Sequence, residues 1–230
     1  MSFISAMIVA AGSSRRAGFD KLMAEIDGIC VLRRSLNVFL QCSLIREIIV
    51  VCPESRFQDA IPDLAHLQIP VIRVDGGTER HFSVWNGLKA LSKESSLVAI
   101  HDGARPLLSQ YQLIRCLDAA TVCGASASAR PIVDTLKRAD TTGMTIPERI
   151  DRDGLWAMET PQVFDVSLIR RAYEKVISDG SLVTDEVSAM AGIDIPTQLI
   201  TNDSPNPKIT LSGDLEIANM LWRYQCHGGE

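Results

Sequence analysis

The chain has no run of eighteen apolar residues, so it lacks the material for a membrane-spanning helix. Nor do its first residues place a basic segment ahead of a long apolar one, the pattern of a secretory leader. These absences set the expectation of a cytoplasmic protein with no membrane partner. A general nucleic-acid binder is also disfavoured. Lys and Arg number 23 against 28 Asp and Glu, a formal net charge of -5, so no broad basic surface is expected.

Signatures of metal and nucleophile chemistry are missing as well. The six cysteines, Cys30, Cys42, Cys52, Cys116, Cys123 and Cys226, form no Cys-x-x-Cys pair, and the four histidines are scattered. Most of these cysteines sit among apolar residues and read as small buried hydrophobes in a reducing compartment. There is no His-Glu-x-x-His, no serine–histidine–acid spacing, no Gly-x-x-x-x-Gly-Lys-Ser/Thr and no Gly-x-Gly-x-x-Gly.

What is present starts with size. The 230 residues, 46% of them hydrophobic, suffice for the core of one α/β domain over residues 1–230. Ile4 to Ala11 is an apolar run of strand length, and Gly12 stands where such a strand must turn. Arg15, Arg16 and Lys21 follow within seven positions. In α/β proteins ligands bind at the carboxyl ends of strands. An arginine fork and a lysine point charge at that place suit phosphate oxygens. The alternative is a strand followed by a solvated basic loop.

Residues 22–28 read as a loop turning at Asp27-Gly28, residues 29–41 as a helix, and 47–51 as a strand. A helix over 54–66 is interrupted by Pro62, and a strand spans 71–74. After the Gly76-Gly77 turn, a helix over 79–91 places Phe82, Trp85, Leu88 and Leu91 on one face, with Trp85 read as core. Its first turn, with Arg80, is a candidate anion-facing site; the alternative is an ordinary βα junction. The strand 97–100 leads to Asp102 and Arg105. Magnesium prefers a carboxylate or two plus substrate phosphates, so Asp102 is its natural candidate ligand. Alternatively Asp102 caps the turn and Arg105 merely pairs with it. A helix over 109–121 and a strand over 125–129 complete a β-α alternation. That order predicts a Rossmann-like, mostly parallel sheet with helices on both faces.

The pattern changes at Arg130. Residues 131–155 read as short β-like pieces without a strongly apolar face, which suits a protruding β-arm needing a partner surface, most simply a second copy of the chain; the alternative is a long surface loop, uncommon at this length. Residues 156–164 return to the body and a helix covers 165–177. Thr184 caps a second helix opening at Thr184-Asp-Glu186. A last strand is expected over 196–200, a closing helix over 212–222, and a loose end from 226. Three anion-facing groups thus fall at strand ends, with one magnesium carboxylate among them. Phosphoryl or nucleotidyl transfer needs such positioning more than covalent chemistry. If a substrate phosphate were the attacking group, no general base would be needed, because that oxygen is already anionic near neutral pH.

Ala10-Ala-Gly-Ser-Ser-Arg-Arg16 with Lys21 resembles the nucleotide-binding opening of the sugar-nucleotide transferase superfamily. Further matches run in order along nearly the whole chain: residues 76–88, His101-Asp-Gly-Ala-Arg-Pro106, Asp151-Arg-Asp-Gly-Leu-Trp156, Thr160-Pro-Gln-Val-Phe164, Thr184-Asp-Glu186 and Lys208-Ile-Thr210. Together they resemble the 2-C-methyl-D-erythritol 4-phosphate cytidylyltransferase family, of the non-mevalonate isoprenoid pathway. The resemblance implies a magnesium-dependent homodimer that uses CTP. Arg16, Lys21, Lys208 and Arg152 would be catalytic. Ala10, Ala11, Gly12, Ser13, Gly76, Gly77, Arg80, Ser83, Asp102, Gly103, Ala104 and Arg105 would line the nucleotide site, with Asp102 on the metal. Thr135 and Arg152, on the arm, would reach the acceptor bound by the neighbouring subunit, and Thr160 and Thr184 would line that side.

Two departures stand out. Ser14 occupies a position where the family commonly has glycine, and Asp20-Lys21-Leu22 replaces its Pro-Lys-Gln. Ribitol-5-phosphate cytidylyltransferase shares most nucleotide-side motifs, but the arm segments 131–135 and 151–156 favour the methylerythritol enzyme. Thr160-Pro-Gln and Lys208-Ile-Thr count against a molybdenum-cofactor nucleotidyltransferase. Retention of Lys21, Asp102 and Lys208 counts against a non-catalytic binding protein.

Overall fold

A computed structural model describes residues 3–12 and 18–227. The first strand, β1 (Phe3–Val9), is the third in a seven-stranded sheet and is flanked on both sides. Its pleat sends Ala6 and Ile8 to one core and Met7 to the other, and the neighbouring strand alternates in the same way. Two hydrophobic layers therefore form, one on each sheet face.

The hairpin strands β2 (Glu25–Ile26) and β3 (Ile29–Cys30) meet across Asp27-Gly28, whose φ values of 48° and 74° make a tight turn with both central residues left-handed. The helix α1 (Val31–Leu40) starts after this hairpin, so the first two residues of the expected helix are strand. Next come β4 (Ile45–Val51) and α2 (Glu54–Ala60), then a single 3-10 turn at Leu64–His66 beyond Pro62. The strand β5 (Val71–Val74) precedes α3 (Arg80–Ala90). The buried side of α3 carries Val84, Gly87 and Leu88, while Phe82 is exposed and Trp85 only half-buried. The face expected from Phe82 and Trp85 is therefore rotated, because Gly87 lets the helix close onto Met7.

The strand β6 (Ser95–Asp102) outruns its expected limits, so His101 and Asp102 belong to the strand itself. The helix α4 (Gln110–Cys123), capped by the Ser109 hydroxyl, leads to β7 (Ala125–Pro131). Residues 132–155 form the arm. Its backbone doubles back through an Ala139–Thr145 bridge and an Ile132 to Leu155 hydrogen bond, and nearly all of its residues are exposed. The segment after it is β8 (Trp156–Asp165), which was not anticipated as a strand. It runs antiparallel between β6 and β7, in the interior of the sheet. Pro161 discourages that assignment, but a register shift opposite residues 127–129 accommodates it.

The chain finishes with α5 (Val166–Asp179), α6 (Glu186–Ala191), β9 (Gln198–Thr201) and α7 (Ser212–His227). The N-cap of α6 is Asp185, which accepts from the Ser188 amide, and not Thr184. Continuation of α7 through His227 corrects the loose end expected from residue 226. Strand order is β5-β4-β1-β6-β8-β7-β9, with β8 the antiparallel member. The helices α1 and α4 cover one face, and α3, α5 and α6 the other. Three of the cysteines, Cys42, Cys52 and Cys116, are buried; Cys123 and Cys226 are exposed. No helix among the described residues is long and apolar enough to cross a membrane.

Candidate active site

From β1 the chain winds outward through β4 to β5, then returns to place β6 on the other side of β1. Such a reversal opens a crevice at the strand ends. Val9 and Asp102 are directly paired at the ends of β1 and β6, and Val51 and Val74 end β4 and β5 beside them. The three sequence segments singled out above therefore converge on one edge.

Small residues are required there by backbone approach. A Cβ on Gly76 would lie 2.3 Å from the Ala11 Cβ, and one on Gly103 would lie 3.2 Å from the Ala10 Cβ. The Gly103 amide donates to the Val9 carbonyl at 3.0 Å. Ser83, buried one turn into α3, accepts from the Gly77 amide at 3.0 Å and donates to the Glu79 carbonyl. Ala10, Ala11, Gly76, Gly77, Ser83 and Gly103 thus form one tightly joined floor. Gly12 is exposed beside it. Ser13 and Arg16 lie outside the described residues, and Lys21 sits half-buried in the turn beyond.

Asp102 is the electrostatic centre. Arg80 Nη2 lies 3.3 Å from its Oδ1, Lys208 Nζ 2.7 Å from its Oδ2, and Arg105 Nε 3.9 Å from Oδ2. Burial pushes its carboxyl toward protonation, but Arg80, Lys208 and Arg105 outweigh that and hold it well below the usual carboxylate range. The pairing of Arg105 and the magnesium reading of Asp102 are compatible, since each carboxylate oxygen has a second lone pair. The chemistry of the donor set agrees. One carboxylate suits a magnesium ion that arrives on substrate phosphates, and no group of three His, Cys, Asp or Glu side chains among the described residues could hold a metal by itself.

The cations are positioned in turn. Arg80 forms a two-pronged pair with Glu186 at 2.6 and 3.0 Å, and the fully buried Glu186 also accepts from the Tyr173 hydroxyl. Burial opposes the Arg80 charge, yet Glu186 and Asp102 prevail and raise its pKa above the ordinary arginine value. The Gln162 side chain accepts from the Glu186 and Val187 amides and donates to Asp185, so Thr160-Pro-Gln and Thr184-Asp-Glu are two halves of one joint. Arg105 donates to the Asn206 carbonyl, while the Asn206 side chain accepts from the Leu107 amide. The Ile209 amide bonds the Ala104 carbonyl at 2.9 Å, which fixes Lys208 beside Asp102. Among the described residues the buried Arg105 Nε has no hydrogen-bond partner, a donor left over at the site.

Thr160 is placed differently from the expectation of an acceptor-lining residue. Its hydroxyl is buried, accepts from the Asp102 amide at 3.2 Å and lies 2.9 Å from His101 Nδ1. His101 Nε2 faces the Arg105 carbonyl at 2.9 Å and must donate to it. The imidazole is then neutral, with Nδ1 accepting from Thr160. Burial pushes the His101 pKa down to about 4. Thr184 is exposed and contacts Ser188. Thr135 and Arg152 line a concavity on the arm together with Leu136 and residues 149–153, and Arg152 donates to the Val133 carbonyl within the arm. The sequence assigned no role to Glu186, Gln162, His101 or Asn206, whose hydrogen bonds hold the cluster in place. Gln162, Glu186 and His101 stand inside the quoted motifs, and that membership was the available signal.

A cationic cluster around one strand-end carboxylate, on this sheet, defines an enzyme of the nucleotide-sugar-transferase-like α/β class. The family model for IspD, 2-C-methyl-D-erythritol 4-phosphate cytidylyltransferase, matches residues 4–223, and the chain belongs to that family. A relative of that name from Caldanaerobacter subterraneus subsp. tengcongensis is 37% identical over 96% of this chain and 99% of its own. One from rice, described as chloroplastic, is 34% identical over 95% of this chain and 74% of its own. The crystal structure of 4-diphosphocytidyl-2C-methyl-D-erythritol synthase from Anaerococcus prevotii superposes with a TM-score of 0.84. It is 32% identical, over 96% of this chain and 99% of that one.

Proposed function

We propose that this protein transfers the cytidylyl group of CTP to 2-C-methyl-D-erythritol 4-phosphate, in the cytoplasm and as a homodimer, within isoprenoid precursor synthesis. The observation that carries this reading is the gathering of Arg80, Arg105 and Lys208 around Asp102 at the sheet's reversal point, in a chain of this family. An acceptor phosphate oxygen attacks the α-phosphorus of CTP. The bond from that phosphorus to the bridging oxygen breaks, and pyrophosphate leaves with the electron pair. No general base is required, because the attacking oxygen is already ionised.

Lys21, Arg16 and Lys208 stabilise charge on the α-phosphate as it reacts. Arg80, Arg105 and the close-packed floor of Ala10, Ala11, Gly76, Gly77, Ser83 and Gly103 hold the nucleotide. Asp102 would be the protein ligand of magnesium, which supplies neutralisation of the triphosphate. Lys208 would then turn from Asp102 toward substrate. Arg152 and Thr135 reach the acceptor in the second subunit through the arm.

Pyrophosphate release tests this reading, with Mg-CTP and methylerythritol 4-phosphate or ribitol 5-phosphate offered in parallel. Turnover with the first acceptor is expected. Turnover with ribitol 5-phosphate alone would retain the nucleotide-side roles and overturn the acceptor.

A further inference from the structure

Arg56 belongs to none of the motifs above, yet it is nearly buried and reaches into the site from α2. Its Nη1 donates to the Ala10 carbonyl at 2.5 Å. Its Nη2 and Nε lie 2.9 and 3.2 Å from Asp20 Oδ2. One guanidinium therefore joins the residue that follows β1 to the residue that precedes Lys21. Both ends of this link are themselves fixed. The Ala10 amide donates to the Val51 carbonyl at 2.8 Å, so Ala10 is held from β4 and from α2. Asp20 opens a turn: its Oδ1 accepts from the Leu22 amide at 3.1 Å, and its carbonyl accepts from the Met23 and Ala24 amides. Lys21 is the second residue of that turn.

We propose that Arg56 and Asp20 are positioning residues for Lys21, setting the lysine against the floor of the nucleotide site. This rests on the nucleotidyl-transfer reading for the role of Lys21. A planar guanidinium suits the task because it offers parallel donors in fixed directions, whereas a lysine could not serve Ala10 and Asp20 with the same geometry. The Asp20 side chain is 40% exposed and its partner 10%, so the pair is anchored from the core side. Loss of the link leaves Lys21 present but aimed less well, and misplacement of about an ångström reduces turnover by up to about a hundredfold.

The test compares wild type, Arg56→Met, Asp20→Asn and the double variant in pyrophosphate release, together with thermal midpoints. Asp20→Asn changes a partly exposed residue by one atom and provides a folded variant should Arg56→Met fail to fold. Each single change is expected to lower kcat by about ten- to a hundredfold, with the KM for the acceptor unchanged. The double variant should be no slower than the slower single one, since both remove one contact. Wild-type kcat in the single variants, or multiplying losses in the double one, would overturn the proposal. Should wild type show no turnover at all, the functional reading fails and hydrogen exchange decides the positioning claim. Faster exchange at Leu22, Met23 and Ala24 in Asp20→Asn, with β4 unchanged, supports it; unchanged exchange at those amides contradicts it.

Discussion

Lys208 Nζ lies 2.7 Å from Asp102 Oδ2, across 106 positions of sequence. This pair joins the last segment of the chain to the end of β6, and it does so at the point where the sheet reverses direction. Asp102 gathers Arg80, Arg105 and Lys208 at one strand end. Asp102, together with the buried Glu186 on Arg80, offsets their mutual repulsion.

Glu186 is expected to control nucleotide affinity through Arg80. Glu186→Gln should keep the side-chain volume but leave Arg80 half-paired, raising the Kd for CTP about tenfold. Unfolding free energy should fall by about 3 kcal/mol, the low end for a broken buried pair because the Arg80 side chain is 26% exposed. CTP titration calorimetry with urea denaturation checks both. An unchanged Kd would free Arg80 from nucleotide binding.

The buried neutral His101 makes stability depend on pH. Its folded pKa of about 4 lies below the ordinary value of 6.5, so the unfolded chain binds the extra proton first. Its contribution is complete above about pH 6.5 and is lost as pH falls toward about 4, at roughly 1.4 kcal/mol per unit. Urea unfolding at several pH values should show this slope, and His101→Gln should flatten it. An equal slope in the variant would assign the dependence to other groups.

Lys21→Ala should lower turnover at saturating CTP by about 10²-fold or more, as for loss of one preorganised donor to developing negative charge. Single-turnover measurement separates this from weaker binding. Near-normal turnover would remove Lys21 from the chemistry.

If the arm of one subunit completes the site of the other, inactive Lys21→Ala and Arg152→Ala proteins should restore activity when unfolded together and refolded. Half of the dimers would be mixed and each would hold one intact site, giving about a quarter of wild-type turnover. Sedimentation should show a species of twice 25.2 kDa. A fully active monomer, or a mixture with no recovery, would refute exchange through the arm.

Much of this architecture was legible because β1, β4, β5 and β6 are apolar runs bounded by glycine, proline or charge. The close-packed floor beside Asp102 was legible through its small residues. β8 was not, since Pro161 and the polar Glu159 and Gln162 obscure a strand whose partners are remote in sequence. The same reason hid the ion pairs of Glu186 and Arg56, whose partners lie 106 and 36 positions away. Thr160 carried a motif yet not its geometry: only the fold turns its hydroxyl toward His101 and the Asp102 amide.

The central claim is cytidylyl transfer at the Asp102 cluster, and the fate of the α-phosphorus tests it most directly. CTP labelled at that atom, incubated with magnesium and methylerythritol 4-phosphate, should place one label per acceptor in 4-diphosphocytidyl-2-C-methyl-D-erythritol, and Asp102→Asn should largely abolish this. Label that stays in CTP or appears in CMP with wild type, or unimpaired transfer by Asp102→Asn, would contradict the account.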